Sequence, residues 1–247
     1  MPLIIAHRGA NLEAPENTLP AFERALAHGV HGFENDVHIT ADGVLVVIHD
    51  DTIDRTSNGT GLVCEMTYDQ LNAYDYGSWF SPEFAGTKIP TLREFFALCH
   101  GLPLINVEIK EEPNGSKAAA TAVVKLAKEC GVFDNLLVSS FDMDMLQGCL
   151  AEDPATRVAY LYAADDLDLC EEIDNCPATF AKKFNLAALH PFVALCNADY
   201  VAACNAAGIM INPWTVNQPH AITALRDWGT HAIITDEPAL ALGICNQ

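Results

Sequence analysis

Positive charge is what this 247-residue chain has least of: thirteen Lys and Arg stand against thirty-three Asp and Glu, a formal charge of −20. A surface this acidic repels phosphate backbones and anionic headgroups, which argues against nucleic-acid binding and against stable membrane association. The chain also has no run of about 18 uninterrupted apolar residues, so no segment reads as a membrane-spanning helix. Its first residues, Met-Pro-Leu-Ile-Ile-Ala-His-Arg, carry no basic leader and break their short apolar run at His7. A cytoplasmic location is the expectation. Nine cysteines occur without a Cys-x-x-Cys pair. That supports neither a zinc knuckle nor a redox dithiol, and buried reduced thiols are expected. No internal repeat or low-complexity linker divides the chain, which reads as one domain. With 50% apolar residues there is material for a sizeable core, which excludes disorder.

Short apolar segments alternate with amphipathic ones from end to end. Strands are expected at 3–6, 32–37, 103–109, 135–140, 157–162, 186–190, 209–214 and 231–235, each bounded by Gly, Pro, Asn or Asp. Helices are expected at 19–28 after Thr18, at 116–130 stopping before Gly131, and at 219–228 following Asn217. Weaker helical patterns lie at 91–100, 142–151, 166–175, 198–207 and 237–243. Eight strand–helix units suit parallel strands joined by right-handed crossovers, and eight is the number that closes an α/β (β/α)8 TIM barrel. A doubly wound open sheet is the rival, and it would favour fewer units and a Gly-rich first turn. Two departures from plain alternation stand out. Thr40-Ala41-Asp42-Gly43 is too short for a crossover, so 44–49 returns as an antiparallel hairpin. A turn centred on 42 and 43 sets His49 opposite Asp36. Residues 51–88 show little periodicity and read as a functional insertion after that hairpin.

Parallel α/β architectures bind ligands at the carboxyl ends of their strands. Strand alternation puts Glu34 and Asp36 on one face, and Asn106, Glu108 and Lys110 on one face, with Asn35 turned away. Glu34, Asp36 and Glu108 then converge in a narrow mouth, where three like charges need a counter-cation. A hard divalent ion with oxygen ligands, Mg²⁺ or Ca²⁺, meets that need. The bland alternative is an ion-pair network with Arg8 and Lys110, in which two cations face three anions. His7 and His49, each beside this cluster and each followed by a charged residue, form a candidate acid/base pair. Arg8 and Lys110 form a candidate anion site. His190 ends its strand at the same mouth, the remaining histidines read as ordinary, and Trp214, Trp79 and Phe80 are candidate pocket walls.

His7-Arg8-Gly9, Ala14-Pro15-Glu16-Asn17-Thr18, Glu34-Asn35-Asp36, Asp42-Gly43, His49-Asp50, Arg55-Thr56, Glu108-Ile109-Lys110, Trp214-Thr215-Val216-Asn217 and Thr235-Asp236 follow one another over nearly the whole chain. This ordered set resembles the glycerophosphodiester phosphodiesterases of the short cytoplasmic bacterial type. The resemblance implies a TIM barrel that releases glycerol 3-phosphate and an alcohol from a small-molecule glycerophosphodiester, with one divalent cation. It implies His7 and His49 as acid and base, and Glu34, Asp36 and Glu108 as metal ligands. Arg8 and Lys110 are implied as phosphate contacts, Trp214, His190 and Trp79 as further substrate contacts, and Glu16 and Asn17 as supports behind them. Asn35 departs from the apolar residue common at that place. A phospholipase-like barrel acting on intact lipids, a non-catalytic glycerophosphodiester-binding module and a sugar-phosphate isomerase are the competing readings. The protein is expected as a monomer or homodimer.

Overall fold

A computed structural model of the chain describes residues 1–163, 173 and 177–246. Eight parallel strands form the wall of a TIM barrel: β1 (Leu3–His7), β2 (Gly32–Ile39), β4 (Leu104–Ile109), β5 (Leu136–Ser140), β6 (Val158–Tyr162), β7 (Ala188–Pro191), β8 (Met210–Ile211) and β9 (Ala232–Thr235). Neighbours pair in sequence order, and β9 returns to β1 with Ile4 opposite Ile233. One further strand, β3 (Leu45–Val47), pairs antiparallel with β2. The outer layer comprises α1 (Leu19–His28), α2 (Tyr68–Leu71), α3 (Leu92–Leu98), α4 (Ala118–Glu129), α5 (Met143–Glu152), α6 (Pro177–Lys183), α7 (Ala198–Ala206), α8 (Pro219–Trp228) and α9 (Pro238–Cys245). The expected pattern at 166–175 lies outside the described residues apart from Ile173, which is helical, and α6 follows it without having been expected. No described helix is long and apolar enough to cross a membrane.

Alternation along the strands builds two cores. Outward residues such as Phe33, Val37, Val107 and Val138 pack against the helices, with Phe22, Phe33 and Phe95 as an edge-packed trio. Inward residues Ile5, Leu104, Leu137, Ala159, Ala188 and Ile234 plug the barrel below the site. Gly32 belongs to this interior, where a Cβ would stand 2.0 Å from the Leu104 carbonyl oxygen. Cys99, Cys149, Cys204 and Cys245 are buried free thiols.

Two expectations are corrected. β8 covers two residues, against 209–214 expected, because Pro213 has no N–H for the ladder. The seam is closed by separate bonds, His231 N–H to Ile211 O at 3.0 Å and Ile234 N–H to Pro213 O at 3.0 Å. The β2–β3 hairpin is offset by one residue from the expected register. Val37 faces Val47, and Ile48 N–H donates to the Asp36 carbonyl at 3.0 Å. Gly43, at φ 83°, follows a turn closed by Gly43 N–H to Thr40 O, so three residues rather than two span the hairpin. The helix expected at 219–228 is α8, with Gln218 at its N-cap position.

The insertion is ordered around its own small core of Ile53, Val63, Leu71, Tyr76 and Ile89, packed on Val46 and Ile48. It therefore sits against the hairpin that leads to His49.

Candidate active site

The carboxyl ends of β1, β2 and β4 supply most of the polar groups. Register places Glu34 opposite His7 and Asp36 opposite Glu108. One oxygen from each of Glu34, Asp36 and Glu108 lies within 4.8 Å of the others, and all three side chains are buried. Lys110 Nζ bridges Glu108 Oε1 and Asp36 Oδ1, the latter at 3.0 Å, and Arg8 Nε lies 3.2 Å from Asp36 Oδ2. Arg8 reaches back over the acids because the chain turns left-handed immediately after β1, at φ 57° for Arg8 and 84° for Gly9. A side chain at Gly9 would collide with Ala21 of α1. Asn17 closes the far side of Asp36, donating Nδ2–H to Oδ2 at 2.8 Å.

Lys110 thus sits on Asp36 and Glu108 and Arg8 on Asp36, and Glu34 Oε2 is left buried with no hydrogen-bond partner among the described residues. Burial, reinforced by the Asp36 charge, pushes the Glu34 carboxyl well above the ordinary carboxylate range. Burial also raises Glu108, against the pull of Lys110. Burial would raise Asp36 too, but Lys110 and Arg8 outweigh it and hold that group ionised. The three converging carboxylates make an all-oxygen donor set of the kind that can hold a hard divalent cation.

Two imidazoles face this cluster. His7 Nδ1 hydrogen-bonds Asp236 Oδ1 at 2.7 Å, and its Nε2 lies 3.9 Å from Glu34 Oε2. Burial alone would lower the His7 pKa, but the Asp236 bond and the Glu34 charge raise it overall. His49 Nδ1 hydrogen-bonds Asp50 Oδ1 at 2.7 Å. Burial, aided by Lys110 and Arg8, lowers the His49 pKa against the pull of Asp36. His49 reaches the site by another route than expected. With the offset register it is not paired with Asp36; it lies two residues beyond β3, where the chain has left the ladder.

A cavity of about 260 Å³ opens over these groups. One wall holds His7, Arg8, Glu34, His49, Glu108 and Lys110, while Phe141, Leu161, Trp214 and Ile234 form an apolar side. His190 lines it as well, fully buried, with Asn212 Nδ2 at 2.9 Å from its Nε2. Burial, then the neighbouring His231, pushes His190 down to about 3. Trp214 is fixed by Nε1–H donation to the His190 carbonyl at 2.8 Å and meets Phe141 and Phe192 edge-on. Glu16 stands behind Arg8, accepting its Nη1–H at 2.9 Å, and is tied to Asp50 through both arms of Arg55. Trp79 and Phe80 are the exceptions, since neither lines the cavity: Trp79 sits exposed on the insertion, edge-on to Phe80 and bonded to the Tyr76 carbonyl, and Phe80 packs edge-on against Phe84.

Sequence reasoning gave no role to Asp236, Asn11 and Asn217. Asp236 ends β9 and Asn217 follows β8, so the strand-end rule that found His7 could have found them. Asn11 Nδ2 meets Asp236 Oδ1 from a loop 225 positions away, with no local signal.

The glycerophosphoryl diester phosphodiesterase family model matches residues 7–240. A glycerophosphodiester phosphodiesterase of Caldanaerobacter subterraneus is 35% identical over 246 residues, covering 99% of this chain and 98% of its own. A phosphodiesterase structure from Oleispira antarctica, in complex with the product sn-glycerol-3-phosphate, superposes with a TM-score of 0.90 at 28% identity, covering 100% and 98% of the two chains. A glycerophosphodiester phosphodiesterase structure from Agrobacterium tumefaciens gives 0.85 at 28% identity over the full length of both. With its barrel, its acid cluster and these full-length relatives, the chain belongs to the glycerophosphoryl diester phosphodiesterase family of hydrolases.

Proposed function

We propose that the protein hydrolyses glycerophosphodiesters to glycerol 3-phosphate and an alcohol, with His7 and His49 as the acid/base pair. The observation that carries this reading is two imidazoles, each anchored at Nδ1 by a carboxylate, on one cavity with Glu34 and Glu108, whose carboxylates converge with that of Asp36. Each ring keeps Nε2 for a proton in transit. One takes a proton from the attacking oxygen, of water or of the substrate's own glycerol 2-hydroxyl, as that oxygen bonds to phosphorus; the other gives a proton to the alcohol oxygen as the old P–O bond breaks, and a cyclic phosphate formed by the second route is then opened by water. Arg8 and Lys110 neutralise charge on the phosphoryl oxygens in the transition state. Glu34, Asp36 and Glu108 would hold a divalent cation such as Mg²⁺ or Ca²⁺, which when bound supplies Lewis-acid polarisation of the phosphate. The product bound to the Oleispira relative supports glycerol 3-phosphate as the constant half of the substrate.

Release of glycerol 3-phosphate from a panel of diesters (choline, ethanolamine, glycerol and inositol) tests the reading. Activity should vanish in excess EDTA and return with Mg²⁺ or Ca²⁺, whereas full turnover in chelator overturns the cation's part. A second reading, hydrolysis of intact lipids, draws on Phe141 and Phe192 exposed beside Trp214. Co-sedimentation with zwitterionic vesicles together with release of lipid product would favour it.

A further inference from the structure

His38 continues the inward row of Glu34 and Asp36 on β2, yet it is closed off from the cavity and almost wholly buried. Both of its ring nitrogens face acceptors. Nε2 lies 3.3 Å from the His49 carbonyl oxygen, and Nδ1 lies 3.2 Å from Glu112 Oε1. That same Oε1 accepts the Ile39 N–H at 2.9 Å. A main-chain carbonyl can only accept, so Nε2 carries a proton and donates it. Glu112 is itself buried, on the segment two residues beyond Lys110.

The pair therefore ties together three of the chain segments that supply the site's polar groups: β2 with Asp36, the exit from β3 with His49, and the exit from β4 with Lys110. The last backbone bond from the β3 side is Ile48 N–H to Asp36 O, and the carbonyl of the following residue, His49, is the one His38 holds. Asp50 fixes the ring of His49, and His38 fixes its main chain. A buried imidazole–carboxylate pair is a costly way to fill space, since apolar side chains of similar volume would do so without desolvation.

We propose that His38 and Glu112 form a buried clamp that positions His49 for proton transfer. This rests on the acid/base role proposed for His49. Displacements of about 1 Å at a reacting group cost up to about 10²-fold in rate. His38→Leu should lower kcat about 10- to 100-fold with KM changed less than about 3-fold. His38→Gln, which offers an amide donor to the same carbonyl, should recover most of that loss.

The deciding measurement is a double-mutant cycle with His49→Ala. Because His38 acts through His49, adding His38→Leu to His49→Ala should lower kcat no further. A double variant reduced by the product of the two single effects overturns the clamp and leaves His38 a structural residue, as does a wild-type kcat for His38→Leu. Wild-type turnover in His49→Ala alone removes the premise instead, and that failure is read directly from the single variant. Should His38→Leu not fold, Glu112→Gln carries the same cycle, since its amide oxygen still accepts from Ile39 while the charge is lost. It should lower kcat several-fold alone and have no effect beside His49→Ala.

Discussion

Asp236→Asn removes one charge without changing shape, and the structure dictates how the new amide must settle. The carboxylate receives His7 Nδ1 and Asn11 Nδ2 on Oδ1, and Asn217 Nδ2 on Oδ2 at 2.7 Å. Asn217 cannot turn its amide over, because its Oδ1 already accepts from Asp236 N–H at 2.9 Å and from the Thr235 hydroxyl at 3.1 Å. Asn11 can, since its Oδ1 has no partner. The amide at 236 therefore keeps its oxygen toward Asn217 and aims its NH₂ at Asn11 and His7. It then donates to His7 Nδ1, forces the ring proton onto Nε2, and withdraws the bond and charge that hold the imidazole's pKa up. As acid or as base, His7 passes through an imidazolium that Asp236 stabilises. The loss should approach that of a whole acid/base group, about 10²–10⁴-fold in kcat or roughly 3–5 kcal/mol. KM should hold, because Asp236 does not line the cavity. Glycerol 3-phosphate release under saturating diester measures kcat, and a circular-dichroism melt checks the fold. A kcat within about 3-fold of wild type refutes the reasoning.

Three other outcomes follow from particular side chains. Asn35 is fully buried on the helix-facing side of β2, and neither side-chain polar atom has a hydrogen-bond partner among the described residues. Asn35→Val should therefore stabilise by about 1–3 kcal/mol and raise Tm by several degrees without touching activity, and an unchanged or lower Tm contradicts this. His190 is held neutral by burial, with its pKa lowered from 6.5 to about 3. Below about pH 6.5 the unfolded chain binds a proton the folded one refuses. Stability should fall by about 1.4 kcal/mol per pH unit toward pH 3 on this account. His190→Gln should flatten that limb in urea titrations, and identical slopes would count against it. Gly32→Ala places a methyl 2.0 Å from the Leu104 carbonyl. It should cost at least about 3 kcal/mol, read as a collapse of Tm, and a wild-type melt would mean the barrel interior is looser than described.

Most strands and helices were legible because each advertises itself through its own neighbours. Ile4 and Ile5, or Val123, Ala127 and Cys130, show their period within a few residues. Glu34 with Asp36, and Glu108 with Lys110, were legible for the same reason, since side chains two apart on a strand share a face. What was misread depended on single residues whose effect is not periodic. Gly43 lengthened the hairpin and shifted its register, Pro213 cut β8 short, and Trp79, which looked like a pocket wall, faces solvent on the insertion. His38 read as ordinary because its sequence neighbours say nothing of Glu112, 74 positions on.

The amino-acid order by itself determined the alternation of strand and helix, the face on which each acid lies, and the shortage of positive charge that makes Arg8 and Lys110 conspicuous. Only the tertiary structure decided which of those faces meet. The His7–Asp236 bond spans 229 positions and exists because β9 returns to β1. The carriage of His49 by a loop, the burial of Glu34 Oε2 with no hydrogen bond among the described residues, and the His38–Glu112 pair arise in the same way. Hydrophobic period is a property of adjacent residues, whereas a hydrogen bond between distant strand ends depends on the closure and stagger of the whole barrel.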